Sequence, residues 1–145
     1  MLTLVKRCKD AYPYKLGLII GNNTNKIDEM VRHMQEQISV IDVGMELSSY
    51  YISERLKFSG ATTEAWIRER FERESNSILL INTEILFTKS MSLDVIKIFK
   101  GHSRNRVVIA SAPGKLDKQK LYIGSRYDED YKVYDLSEIK VIKEI

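Results

Sequence analysis

Residues 21–26 read Gly-Asn-Asn-Thr-Asn-Lys, a turn of small polar residues closed by a cation. Backbone amides gathered in such a turn, with a lysine at the start of the following helix, are a way of holding phosphate. The residues on either side fit that geometry. Leu16, Leu18, Ile19 and Ile20 form a short apolar run of strand length, and Ile27, Met30, Val31 and Met34 recur at helical spacing. Gly21, Asn22, Asn23, Thr24, Asn25 and Lys26 are therefore the candidate nucleotide contacts.

Set against the pattern G-x-x-x-x-G-K-[ST], the turn is one residue short. Asn25 stands where the second glycine belongs, and Asn is the non-glycine residue that best tolerates positive φ. Ile27 follows the lysine, so the hydroxyl that would reach magnesium is missing. Asp28 and Glu29, expected in the first helical turn, would complement the helix dipole but repel a triphosphate. A plainer reading makes Thr24 or Asn25 an ordinary N-cap.

Other candidates come from the ends of later strands. Residues 77–82 (SILLIN) are apolar enough for a central parallel strand, and Asn82-Thr83-Glu84 follows. Glu84 is the acid that could position water, or else a helix-start or solvated loop residue; Asn82 can hydrogen-bond but has no charge for a metal. Ser111 follows the strand at 107–110, on the edge where such sheets bind ligands, and can sense a γ-phosphate. Arg104 and Arg106 enter that strand from its other end. They are either structural charge partners or groups offered to a neighbouring subunit, where an arginine can complete a phosphoryl-transfer site. His33 and His102 are isolated and read as structural.

The elements that must position these groups alternate strand and helix. A leading helix carries Leu2, Val5, Cys8 and Tyr12 on one face and closes at Pro13. A second strand is expected at 38–43, ending at Gly44. A helix follows at 45–58, broken by Gly60, and another spans 62–74 with Trp66, Ile67 and Phe71 inward. Leu93, Ile96, Ile98 and Phe99 mark a further helix, ended by Gly101. Leu121-Tyr122-Ile123 is strand-like, 132–136 is the expected fifth strand, and 137–145 is an edge strand or a fraying tail. Strand, helix, strand in this order implies parallel strands with right-handed crossovers. Residues 1–145 are thus expected to form one α/β domain around a mostly parallel five-stranded sheet. No helical lid is expected after the fifth strand.

Composition narrows the classes. The chain has 145 residues, 43 % hydrophobic and 30 % charged, with a formal charge of +3, which suits a globular domain and does not demand nucleic acid. Lys115, Lys118, Lys120 and Arg126 form the one local basic patch that could contact DNA phosphates, with the acidic residues 128–130 nearby. A single cysteine, Cys8, makes no internal disulfide and suggests a reducing compartment. With neither a signal-peptide core nor a membrane-length apolar run, a cytoplasmic location is expected.

The second half supports a more specific comparison. The strings ILLINTEILF over 78–87, SLDVIKIF over 92–99, GHSRNR over 101–106, APG over 112–114, then Leu121-Tyr122 and Asp130-Tyr131, resemble the BrxF family. These are small P-loop proteins of type 3 BREX systems, which are bacterial anti-phage defence loci. The resemblance implies a three-layer P-loop core of the RecA/AAA kind. It also implies action beside a site-specific DNA methyltransferase, a large ATPase, a PglZ-type protein and a helicase, with a homo-oligomer as one form of assembly. The family pattern has Gly-Lys-Thr or Gly-Lys-Ser in the loop and an Asp where Ile81 stands. The departures remove both protein ligands for magnesium. What is implied is an accessory subunit that binds ATP weakly or without hydrolysis. Two alternatives are an ATPase using Lys26, Glu84 and a neighbour's Arg104 or Arg106, and a DNA-binding module.

Overall fold

The computed structural model describes residues 2–145, with side chains from Leu4 onward. Five α-helices are present among the described residues: α1 (Leu2–Lys9), α2 (Thr24–Met34), α3 (Val43–Ser53), α4 (Gly60–Glu72) and α5 (Val95–His102). The strands are β1 (Leu16–Ile20), β2 (Ser39–Asp42), β3 (Ile78–Ile81), β4 (Val108–Ala112), β5 (Lys115–Asp117), β6 (Lys120–Ile123), β7 (Lys132–Asp135) and β8 (Val141–Glu144). Five of them form one parallel sheet in the order β2-β3-β4-β1-β8. Continuous apolar runs become central strands because both faces are covered, and β1 and β4 are buried at every position.

Side-chain alternation divides the core into two. Leu16, Leu18 and Ile20 of β1 join Leu80 and Ala110 in a large cluster with α3, α4 and α5. Ile19, Leu79 and Ile109 point the other way, onto Leu4, Val5 and Cys8 of α1 and Met30 and Met34 of α2. The result is helices on both faces of the sheet, an α/β/α arrangement. Gly17 allows α1 its close approach, since a Cβ there would lie 2.6 Å from Cys8 Sγ. Burial pushes that thiol up to about 11.

Several boundaries differ from the sequence expectation. The fifth strand of the main sheet is β8, the edge-strand alternative expected for 137–145 and not the tail, and its backbone pairs with β1 from Gly17↔Val141 to Ile20↔Glu144. Residues 132–135 instead form β7 of a separate antiparallel sheet, β5-β6-β7, inserted between β4 and β8. Leu121, Ile123, Tyr134 and Leu136 tie this insert to the large cluster, and the Phe87 and Tyr134 rings meet edge to face at 5.7 Å. Gly60 does not break a helix but starts α4, behind Ser59, whose side chain accepts from the Thr62 amide. Gly44 lies inside α3, which begins straight after β2 with Asp42 as its N-cap. Tyr12 lies beyond α1 and is exposed, and the side chain of Leu2 is outside the described part. No helix among the described residues is long and apolar enough to cross a membrane.

Arg106 explains how the amino end of the sheet is closed. Its Nη1 donates to the Phe71 carbonyl at 2.8 Å and its Nη2 to the Glu74 carbonyl, tying the start of β4 to the last turn of α4 and the loop that follows it. Arg106→Ala is expected to destabilise the domain by about 1–2 kcal/mol, read as a lower midpoint in urea unfolding. His102 packs its ring edge-on against Phe71, with centroids 4.9 Å apart. Burial lowers its pKa, helped by the nearby Arg106 and Arg68. The folded state therefore holds His102 neutral. Its contribution is complete above the unfolded histidine value near 6.5 and is lost as pH falls through the lower folded value. Thermal melts of His102→Gln should lose part of the wild-type decline in stability below pH 6.5.

Candidate functional site

The turn after β1 is shorter and tighter than the sequence suggests. β1 ends at Ile20 and α2 starts at Thr24, so only Gly21, Asn22 and Asn23 lie between them. Asn23 is the N-cap, neither Thr24 nor Asn25, and its Oδ1 accepts from the Lys26 amide at 3.2 Å. A side-chain oxygen thus occupies the place at the helix start that a phosphate oxygen would take. Asn25 is helical and has no positive φ; within this turn that conformation belongs to Gly21, at φ 130°. Asp28 and Glu29 fall in the second turn of α2, not the first, which contains no acid.

Gly21 is held from both sides. Its amide donates to the Ala112 carbonyl of β4 at 3.1 Å, and the Ile145 amide donates to the Ile20 carbonyl at 2.9 Å. A Cβ on Gly21 would lie 2.6 Å from the Ile145 carbonyl oxygen. The glycine serves close packing of the chain against itself. Asn22, Asn23, Thr24, Asn25 and Lys26 are all exposed along the carboxyl edge.

The strand beside the loop is β4, and β3 lies one strand further out. Ser111 is level with Ile19 of β1 and is buried. Asn82 and Glu84 follow β3, so the width of two strand spacings, about 10 Å, separates their strand from β1. The expected acid beside the loop is therefore not adjacent to it. Asn82 has φ 53° and forms the turn after β3; its carbonyl oxygen would be 2.9 Å from a Cβ on Gly44, which is how α3 fits closely beneath it. Glu84 begins a 3₁₀ turn and is exposed. The fully buried Thr83 was not among the sequence candidates. Its hydroxyl donates to the Ser111 carbonyl at 2.5 Å, joining the end of β3 to β4. Thr83 offered no sequence signal apart from its place between Asn82 and Glu84.

The arginines lie at the opposite, amino end of the sheet. Arg106 is engaged by the Phe71 and Glu74 carbonyls, and Arg104 stacks over the Tyr14 ring at 5.5 Å. Neither shares an edge with Lys26 or Glu84. The basic residues Lys115, Lys118 and Lys120 are gathered by the β5–β6 hairpin, where Asp117 pairs across from Lys120.

No group of three His, Cys, Asp or Glu gathers for a metal among the described residues, and Ile27 follows the lysine where the P-loop pattern has a hydroxyl. What remains at the loop is the pair of amides at Thr24 and Asn25 together with the Lys26 ammonium, enough for a weak anion contact. The strand order and the short turn define an α/β domain with a Rossmann- or P-loop-like layout. No family model, curated protein or solved structure matches the chain.

Proposed function

We propose that the chain is a P-loop-like accessory subunit of a BREX-like anti-phage defence complex, acting through protein assembly and not through hydrolysis. The observation that carries the non-hydrolysing part is the closure of the loop: the Asn23 side chain caps α2 on the Lys26 amide, leaving a three-residue turn. A phosphate seated on the Lys26 amide would have to displace that cap, and no cluster of three carboxylate, His or Cys side chains stands ready for magnesium among the described residues. Support for the defence setting comes from the second-half sequence strings that resemble BrxF. Three of them, over residues 78–87, 101–106 and 112–114, contain β3 and the turn after it, lead into β4 and close β4.

The ATPase alternative requires Arg104 or Arg106 of a neighbour to act at the loop. The engagement of Arg106 with α4 weighs against it. The DNA-binding alternative draws on the exposed lysines of the β5–β6 hairpin and predicts steeply salt-dependent binding. The test is co-purification from a host carrying a complete BREX-like locus. Wild type and Lys26→Ala should both retain the methyltransferase, the large ATPase or the PglZ-type protein. Loss of these partners on Lys26→Ala alone, or magnesium-dependent ATP turnover abolished by it, would contradict the reading.

A further inference from the structure

Strand β8 forms one edge of the main sheet. The Ile145 amide donates to the Ile20 carbonyl, and Ile20 stands level with Glu144 in the parallel register. That bond fixes the alternation along the strand. The backbone groups of Val141, Lys143 and Ile145 turn to β1, and those of Ile142 and Glu144 turn outward. No backbone hydrogen bond from elsewhere in the described chain reaches the outward groups. An edge of this kind is a template for a further strand.

The side chains along the edge say which strand fits. Lys140, one residue ahead of β8, and Glu144, its last residue, are exposed and make no ion pair among the described residues. They stand about 13 Å apart along the strand, too far to pair with each other. Ile142 lies midway between them, half-buried against the large cluster.

We propose that β8 pairs antiparallel with β8 of a second copy of the chain, about a two-fold axis at Ile142, so that the two sheets become one. An isologous contact must be complementary to itself, and this register meets that condition. Hydrogen-bonded pairs need outward-turned groups on both strands, which places the axis at a residue and not between two. With the axis at Ile142, that residue faces its own counterpart, and Lys140 of each copy faces Glu144 of the other. Lys143, on the opposite face of the strand, stands across from Val141, so no like charges meet. An axis at Lys143 would set that lysine against itself, and one at Val141 would separate Lys140 from Glu144. The overlap runs only from Lys140 to Glu144, so the dimer is weak and dissociates on dilution. The inference rests on the sheet edge alone and depends neither on the defence setting nor on the loop being closed.

Sedimentation equilibrium of the chain, from low to high micromolar concentration, tests it. Wild type should move from the mass of one chain towards that of two, and no further. Lys140→Glu and Glu144→Lys each place like charges opposite one another at both ends of the seam, and each should weaken association by about tenfold or more. Both side chains are exposed, so the thermal melt at dilute concentration should not change. Mixing the two variants should restore association, because each charge then faces its opposite. Amide exchange on the wild type needs no substitution: the Ile142 and Glu144 amides should gain protection as concentration rises, while that of Lys143, turned to β1, is protected throughout. A chain that stays monomeric, growth beyond two copies, a dimer indifferent to both reversals, or a mixture that associates no better than its components would overturn the proposal.

Discussion

Gly21→Ala is expected to cost the fold about 3 kcal/mol. Two effects combine. A φ of 130° lies where a residue with a Cβ is strained, typically by about 1–3 kcal/mol. The new Cβ would also sit 2.6 Å from the Ile145 carbonyl oxygen and 3.1 Å from its Cγ1, and Ile145, the residue after β8, is held there by the bond from its amide to the Ile20 carbonyl. For a domain of this size such a loss lowers the melting temperature by roughly 10 °C. Differential scanning calorimetry measures it. A melting temperature unchanged by the substitution would show that the turn is loose and free to open around a ligand. The expected fall ties the glycine to packing between β1, β4 and β8.

Phe99→Ala should be the most damaging single change in the core, costing about 3–5 kcal/mol. Phe99 is fully buried on α5 and belongs to the cluster that joins the main sheet, α4 and the β5-β6-β7 insert. Removing its ring leaves a cavity at the junction of three units that cannot all close in at once. Urea unfolding should show a lower midpoint. If the variant does not accumulate, Phe99→Leu, expected to cost about 1.5 kcal/mol, gives the same direction. A loss below about 1 kcal/mol for Phe99→Ala would mean that the insert packs on the sheet independently of α5.

The contrast between these positions and the loop shows which features the sequence revealed. Strands β1 and β3 were legible because burial on both faces makes them continuously apolar, and α4 was legible because Trp66, Ile67 and Phe71 keep a helical face. β8 is the edge strand that was one of two readings of 137–145; the exposed Lys143 and Glu144 break the apolar pattern and left a tail as the other. Of the insert, the strands at 121–123 and 132–136 were legible but their pairing in a separate sheet was not: β5 and β7 are largely exposed, and only alternate residues such as Leu121 and Tyr134 reach the core.

At the site, the change from strand to helix between Ile20 and Ile27 could be seen, but its length could not. The apolar set Ile27, Met30, Val31 and Met34 fits a helix starting at Thr24 as well as one starting two residues later. Which asparagine caps α2 is decided by hydrogen bonding, and Asn23 is the one within reach of the Lys26 amide. Asp42, inside the strand expected at 38–43, caps α3 in the same way. The separation of Glu84 from the loop was also beyond the sequence, because it depends on β4 being inserted between β1 and β3.

The closed loop is tested most directly by calorimetric titration of the purified chain with ATP and a non-hydrolysable analogue, with and without magnesium. The account predicts heats that are absent or weak, equal for both nucleotides and unchanged by magnesium. Tight binding that requires magnesium and disappears in Lys26→Ala would contradict it, because the loop would then have to open, release the Asn23 cap and recruit metal ligands from elsewhere.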